Sequence, residues 1–401
     1  MTAAAAARPD AIRRHNLALV LGQVHRDGAL TRAELTQRLG LSRSTIGALV
    51  ADLSELGLVE ESVPSGGTRA GRPSHVVGPH SAGPFVVAVD VDVAHITAAA
   101  VGIGGNVLAR HVISAEPSPP TPEFVVERIA TSIPLLRKEI GRCADPVAVG
   151  VSVPGTVHRY LGRVGFAPNL HWRNAEFGAM LADLLEPAIP VAVGNDADLA
   201  VLAEHSRGAA RDSDDVVFLM GRIGVGAGII VNGAPLRGHD GHAGEIGHTV
   251  VDASGPPCHC GKRGCLETFV GENALLSLAG QPLPATDERV RAVFDGARDG
   301  QPGALRAVRE LAGSLGRGLA GLVNTLNPER LVLGGSFADV LDIAAADIEA
   351  TLHQYAMDAP GDPVQLTQPC FGTDSALLGA AEVAFAPLLI DPLAGRALAR
   401  R

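Results

Sequence analysis

The sequence predicts two folds in one chain: a small, mostly helical winged helix-turn-helix head, then a large α/β body. Two observations carry this. Within the first eighty residues, capped helix signatures flank one tight turn at Gly40–Leu41. From about residue 85 onward, apolar strand-like runs alternate with long helix-like stretches, the pattern of an α/β domain. A chain of 401 residues is too long for one ordinary domain, and the change of pattern places the head at 1–78 and the body at 79–395.

The head is read from its caps. Thr31 and Glu34 form a Thr-x-x-Glu capping box that starts a helix running to about Leu39. Gly40, able to take the left-handed conformation, stops it. Ser42 caps a second helix whose Ile46, Leu49, Val50, Leu53 and Leu56 recur on one face, and Gly57 ends it. An earlier helix, roughly Ile12 to Arg26, completes a three-helix core. The first turn of the second helix presents Arg43, Ser44 and Thr45, groups suited to base edges and phosphates. Leu58-Val59-Glu60 reads as a strand. Residues 64–73 read as the tip of a wing, where Arg69 and Arg72 sit on glycine-rich backbone that can lie along a minor groove.

In the body, Phe85–Asp92, Ile96–Ile103, Val147–Val153, Val191–Gly194, Val216–Met220, Gly228–Val231 and Leu331–Leu333 read as strands. Gly104-Gly105-Asn106 reads as a hairpin turn, and Pro122–Ile140 and Gly303–Asn327 as helices. Several strands end in polar or glycine-rich motifs, the usual place for ligands in such folds.

Composition narrows the class. Hydrophobic residues are 46% of the chain and charged residues 19%, enough for a core and against disorder. Aromatics are only 3%, so aliphatic side chains must fill that core. No run of 18 apolar residues occurs, and Arg8, Arg13 and Arg14 follow the Ala3–Ala7 run instead of preceding it. A cytoplasmic protein without a membrane partner is expected. The net charge of −10 argues against a nucleic-acid binder until its distribution is examined. Residues 1–79 hold nine arginines and seven acids, a net of +2, which leaves −12 on the remainder. An acidic body behind such a head confines DNA contact to the head.

The most specific motif is His248-x9-Cys258-x-Cys260-x4-Cys265. Three thiolates and an imidazole make a closed tetrahedral set, the structural type of zinc site with no position left for water. Gly255, Pro256, Pro257, Gly261 and Gly264 supply the bends. His259, adjacent to a ligand, is expected to point away. Five cysteines, three of them clustered, read as metal ligands more readily than as disulfides.

Gly244-Glu245-Ile246-Gly247-His248, with Cys258-His259-Cys260-Gly261-Lys262-Arg263-Gly264-Cys265-Leu266-Glu267, resembles the signature of the ROK family (repressors, open reading frames and sugar kinases). The resemblance extends over nearly the whole chain. Arg14-x-Asn16 and Gly71-Arg72-Pro73 resemble the head of ROK repressors. Pro168-Asn169-Leu170-x-Trp172, Asn195-Asp196-Ala197, Gly224-x-Gly226-x-Gly228 and Leu331-Val332-Leu333-Gly334-Gly335 resemble the family's body. It implies a two-lobed actin/hexokinase-like (ribonuclease-H-like) fold. It also implies a sugar pocket lined by Asn169, Asn195, Asp196, Glu245, His248 and Glu267. Carboxylates and amides suit a polyol, since each hydroxyl both donates and accepts. His248 would bind zinc through one ring nitrogen and sugar through the other.

The family holds both kinases and regulators, so membership does not decide between them. In its kinases the position of Asp196 is the general base that deprotonates the attacking sugar hydroxyl. Those kinases also carry Asp-x-Gly-Gly-Thr after the first strand, a turn that approaches the ATP phosphates. Here the matching stretch is Asp90-Val91-Asp92-Val93-Ala94. Val93 obstructs close backbone approach. Asp92 faces a polyanion with a repulsion of about several kcal/mol at an effective dielectric near 20. The expectation is a non-enzymatic repressor with Asp196 as a vestigial base, a sugar effector, operator DNA as partner, and a homodimer or homotetramer as assembly. An ATP-dependent sugar kinase is the alternative.

Overall fold

The structure, a computed structural model, describes residues 9–63, 75–116, 118–158, 160–185, 189–358 and 361–393. Internal packing divides the chain into two units: residues 1–194 with 380–401, and residues 195–379.

The first unit opens with helices α1 (Pro9–Asp27), α2 (Arg32–Leu39) and α3 (Arg43–Glu55). Strands β1 (Leu30–Thr31), β2 (Val59–Ser62) and β3 (Val76–Pro79) form a sheet of order β1-β3-β2. Both expected caps are present. The Thr31 hydroxyl accepts the Glu34 N–H at 3.1 Å while the Glu34 carboxylate accepts the Thr31 N–H at 2.7 Å. Ser42 Oγ accepts the Thr45 N–H at 3.1 Å, and Gly40 takes φ +65°. Leu17, Val20, Leu21 and Val24 of α1, spaced three and four apart, are buried with Leu35, Ile46, Val50 and Leu53. β3 was not legible, because Gly78 and Pro79 oppose strand formation locally. It forms because it pairs with both neighbours. β2 and β3 are the arms of the wing. Its tip, with Arg69 and Arg72, lies outside the described residues.

The same unit continues through β4 (Phe85–Val91), β5 (His95–Gly102), β6 (Val107–Ser114), α4 (Pro122–Glu139) and β7 (Val149–Val153). A small sheet follows, of β8 (Thr156–Val157), β9 (Val164–Ala167) and β10 (Trp172–Ala175), then α5 (Phe177–Leu184) and β11 (Val191–Asn195). Val87, Val89 and Val91 share a core with Val125, Ile129, Ile133 and Leu136 of α4. Trp172 stacks on Phe177 at 5.2 Å and donates its indole N–H to the Pro120 carbonyl at 2.8 Å.

The second unit contains α6 (Asp196–Arg207), β12 (Val216–Gly221), β13 (Val225–Val231) and β14 (Ala234–Pro235). It then adds α7 (Glu267–Val270), α8 (Glu272–Leu278), α9 (Asp287–Arg298) and α10 (Pro302–Leu326). β15 (Arg330–Gly335), α11 (Ser336–Tyr355) and β16 (Gln365–Thr367) follow, and the unit boundary falls inside α12 (Ser375–Ile390). β12 is buried on both faces. Val217 and Leu219 face one cluster, Val216, Phe218 and Met220 another, which is why the strand is an unbroken apolar run.

The two large sheets share one topology. One runs β11-β7-β4-β5-β6 and the other β14-β13-β12-β15-β16. Numbered by its own strands, each reads 3-2-1-4-5. An antiparallel pair forms first, and the fourth strand then pairs parallel with the first. This repeated order is the actin-like fold the resemblance implied. Among the described residues, one helical stretch, Gly372–Ile390, is long and apolar enough to cross a membrane, but 61% of that window is buried within the protein, as in a core helix.

Candidate functional site

The site grows from β13. The run Gly224-x-Gly226-x-Gly228 reads locally as a turn, yet the strand begins at Val225, three residues earlier than the expected Gly228. Close packing is the reason. A Cβ on Gly228 would overlap the Ala197 carbonyl at the start of α6. Gly247 meets the Val225 carbonyl equally closely on the next approach. β13 is thus a bare-backed strand, and the loop of the Gly-Glu-Ile-Gly-His motif packs against its backbone.

At the head of α6, Asn195 Oδ1 accepts the N–H groups of Ala197 (2.9 Å) and Asp198 (3.1 Å). Its oxygen therefore serves as an N-cap, so any contribution to a ligand comes through its amide nitrogen. Asp196 Oδ1 accepts the Ala197 N–H at 2.9 Å. Glu245 Oε2 lies 3.9 Å from His248 Nε2. On the other side of the ring, His248 Nδ1 lies 3.7 Å from both Cys258 Sγ and Glu267 Oε1. Asn195, Asp196, Glu245, His248 and Glu267 all belong to the second unit. Asn169, on a single turn at Pro168–Leu170, belongs to the first.

Asp198 was not foreseen. Desolvation first, then the charges of Asp196 and Glu245, outweigh nearby Arg237 and raise its carboxyl to about 7. The folded chain therefore keeps this proton at pH values where the unfolded chain, titrating near 3.8, has lost it. The contribution is full below about pH 4 and is lost as pH rises through about 7, a cost of at most about 4 kcal/mol. Asp198→Asn should flatten this slope, raising melting temperature relative to wild type at pH 8 more than at pH 5. Parallel slopes in thermal melts of the two proteins would refute it.

The donor atoms of His248, Cys258, Cys260 and Cys265 all lie within 4.8 Å of one another. Val250 bridges Cys265 and Pro257 bridges Arg263, closing a knuckle in which Gly264, at φ +69°, packs against the Asp252 carbonyl too tightly for any side chain. The Cys260 N–H points to Cys258 Sγ at 3.4 Å. Cys260 Sγ lies 3.7 Å from Cys265 Sγ. Tetrahedral bonds of about 2.3 Å separate two thiolates by about 3.8 Å, so the spacing fits a zinc ion and not a disulfide. Burial, then a hydrogen bond to Glu267, pushes the Cys258 thiol well above its ordinary value, so a metal must displace its proton.

Glu267, expected only on the sugar, is tied to this loop. Its Oε1 accepts from Cys258 Sγ at 2.8 Å and lies 3.0 Å from His259 Nδ1. His259 stays outside the four-donor set, as expected, but instead of pointing away it forms a second group with His248 and Glu267.

In the head, Arg43 and Ser44 are exposed at the start of α3, while Thr45 is half-buried. The Ser44 and Thr45 hydroxyls lie 2.9 and 2.8 Å from Ser42 Oγ. Arg13, Arg14, Arg32 and Arg38 are paired with Asp52, Asp391, Glu61 and Asp27. Among the described residues Arg43 has no acidic partner.

A winged helix-turn-helix head before a two-sheet actin-like body, with a Cys3His knuckle beside clustered carboxylates, defines the class: a regulator built on a sugar-kinase scaffold. The ROK family profile matches residues 86–386 and a MarR family profile matches residues 18–70. The chain belongs to the ROK family. It is 25% identical over 376 residues to the xylose repressor of Bacillus spizizenii, covering 93% of this chain and 95% of that one. It is 33% identical over 328 residues to a glucokinase of Streptomyces coelicolor, covering 77% of this chain and 99% of that one. A crystal structure of a ROK family transcriptional regulator, a homologue of the E. coli MLC protein, superposes with TM-score 0.77 at 25% identity, covering 97% of this chain and 100% of that one.

Proposed function

We propose that this chain is a sugar-responsive transcriptional repressor that binds operator DNA through α3 and the wing and does not phosphorylate its ligand. The observation that carries the reading is the head itself: a capped recognition helix with an exposed Arg43 at its start, fused to a body of the kinase type. The match to a xylose repressor spans 93% of this chain, whereas the match to a glucokinase spans 77% of it.

The proposed sugar ligands are Asn169, Asn195, Asp196, Glu245, His248 and Glu267. His248, Cys258, Cys260 and Cys265 are proposed to hold a structural zinc, which would fix the ring of His248 so that its Nε2 side faces the sugar. Arg69 and Arg72 are proposed minor-groove contacts, and a homodimer or homotetramer the DNA-binding form. In place of a phosphate loop, Asp92 Oδ1 accepts the Val93 N–H at 2.6 Å and the Val93 side chain packs against the core. That supports loss of ATP chemistry, although Asp196 at the start of α6 favours the kinase as second reading.

Gel retardation with the DNA upstream of its own gene, with and without D-xylose and D-glucose, tests the proposal. Binding should be specific and change with one of the sugars. Turnover of ATP with either sugar at ordinary kinase rates would overturn it. Arg43→Ala should weaken binding by about 1–3 kcal/mol if it reads a base, or lower the salt slope by about one if it meets a phosphate. Unchanged affinity and slope would remove α3 from the interface.

A further inference from the structure

Two side chains of α1 make polar contacts with the rest of the unit: Arg14 pairs with Asp391 at the surface, and His25 is buried. His25 sits in the last turn of α1, beside the core residue Val24, and is 3% exposed. Its ring is satisfied entirely by groups outside the head. Nδ1 accepts the N–H of Gly104, in the hairpin turn between β5 and β6, at 3.0 Å. Nε2 lies 3.2 Å and 3.4 Å from the two carboxylate oxygens of Glu382 on α12. The ring edge meets Phe385 of the same helix at 5.3 Å. Because Nδ1 accepts, the ring proton sits on Nε2 and is donated to Glu382.

A histidine is a poor choice for simply filling this space. Burying a polar ring and a carboxylate against each other contributes little stability compared with apolar packing. What such a pair supplies is a single allowed arrangement, since any shift leaves buried polar groups unmatched. The neighbouring elements make that arrangement consequential. On the DNA side, α1 and the recognition helix α3 bury their apolar faces, and Arg13 pairs with Asp52 at the surface. On the effector side, α12 begins at Ser375, whose hydroxyl donates to Glu204 of α6 at 2.8 Å. The first turn of α6 is the Asn195-Asp196 motif. α12 runs from Ser375 to Ile390, so its own backbone joins the Glu204 contact to the His25 contact.

We infer that His25, with Glu382 and the Gly104 amide, is a latch that holds the DNA-binding head in one position on the effector body and through which that position is regulated. The regulatory part rests on the sugar-responsive reading; the latch itself does not. A ligand that moves α12 would break the joint and release the head, at a cost set by the latch.

Hydrogen–deuterium exchange of the full chain tests this. His25→Leu keeps the volume but removes both bonds, and Glu382→Gln weakens the pair from the other side. In each variant, amides of the linker 80–83 should exchange about fivefold faster or more, with the strands β12, β13 and β15 unchanged, and the double variant should add little to either single one. A smaller rise in either variant, or fully additive rises, overturns the latch. If His25→Leu fails to fold, Glu382→Gln alone decides. D-xylose and D-glucose are then added to the wild type. Faster linker exchange with either sugar supports regulation through the latch. No response to either, with fast exchange in the variants, counts against the sugar reading and leaves the latch standing.

Discussion

Removing the proposed zinc is expected to unravel the segment from Thr249 to Cys265 and to abolish the proposed sugar binding with it. That segment has almost no apolar support. Val250 and Val251 are 52% and 47% exposed, and of its hydrophobic side chains only those of Cys258 and Cys265 are buried. Its bends depend on glycines, which favour the unfolded chain entropically. Four donors on the proposed ion would supply what the missing core does not. Structural zinc sites of this type contribute on the order of 10 kcal/mol to folding, far beyond any single contact in the loop. One zinc per chain is expected from elemental analysis. Cys258→Ser or Cys265→Ser should lose it and expose residues 249–264 to proteolysis, while β12 and β15 stay protected. His248 would then lose its fixed orientation beside Glu245, so affinity for the sugar ligand should fall at least about tenfold. Verified metal-free protein with unchanged protease resistance would end the structural-zinc proposal.

What the amino-acid sequence disclosed about this region, and what it concealed, follows from distance along the chain. The four metal donors fall within eighteen residues, and the caps of α2 and α3 are set by side chains three residues apart. Local chemistry is enough to read both. The glycines of β13 show the opposite case. Locally they favour a turn, yet close approach of α6 and of Gly247 makes them a strand. The sugar motifs were legible only as a resemblance, because nothing near Asn195 in sequence shows that its oxygen is used as a cap. His25 could not be found at all. Its partners are 79 and 357 residues away, and on α1 it reads as one more polar helix residue.

Glu204 is hidden in the same way, because three of its four partners lie more than 160 residues away. It lies on the last turn of α6 with no solvent exposure. Its carboxylate accepts the N–H groups of Ala209 at 2.7 Å, Cys370 at 2.9 Å and Phe371 at 3.1 Å, and the hydroxyl of Ser375 at 2.8 Å. Four donors from two distant segments thus converge on one acceptor pair, which closes the end of α6 onto the start of α12. Glu204→Gln preserves the shape but turns one acceptor oxygen into a donor facing donors. Three backbone N–H groups cannot be replaced, so at least one is left buried and unmatched. The expected cost is about 2–3 kcal/mol, or a fall in melting temperature of about 4–12 °C for a unit of this size. Glu204→Leu should cost as much or more, since an apolar side chain satisfies none of the four donors. If either variant melts within 2 °C of wild type, the staple contributes far less than its geometry implies. In that case the contact between the end of α6 and the start of α12 would rest on much less, because among the described residues Glu204 is the buried side chain that bonds Ser375.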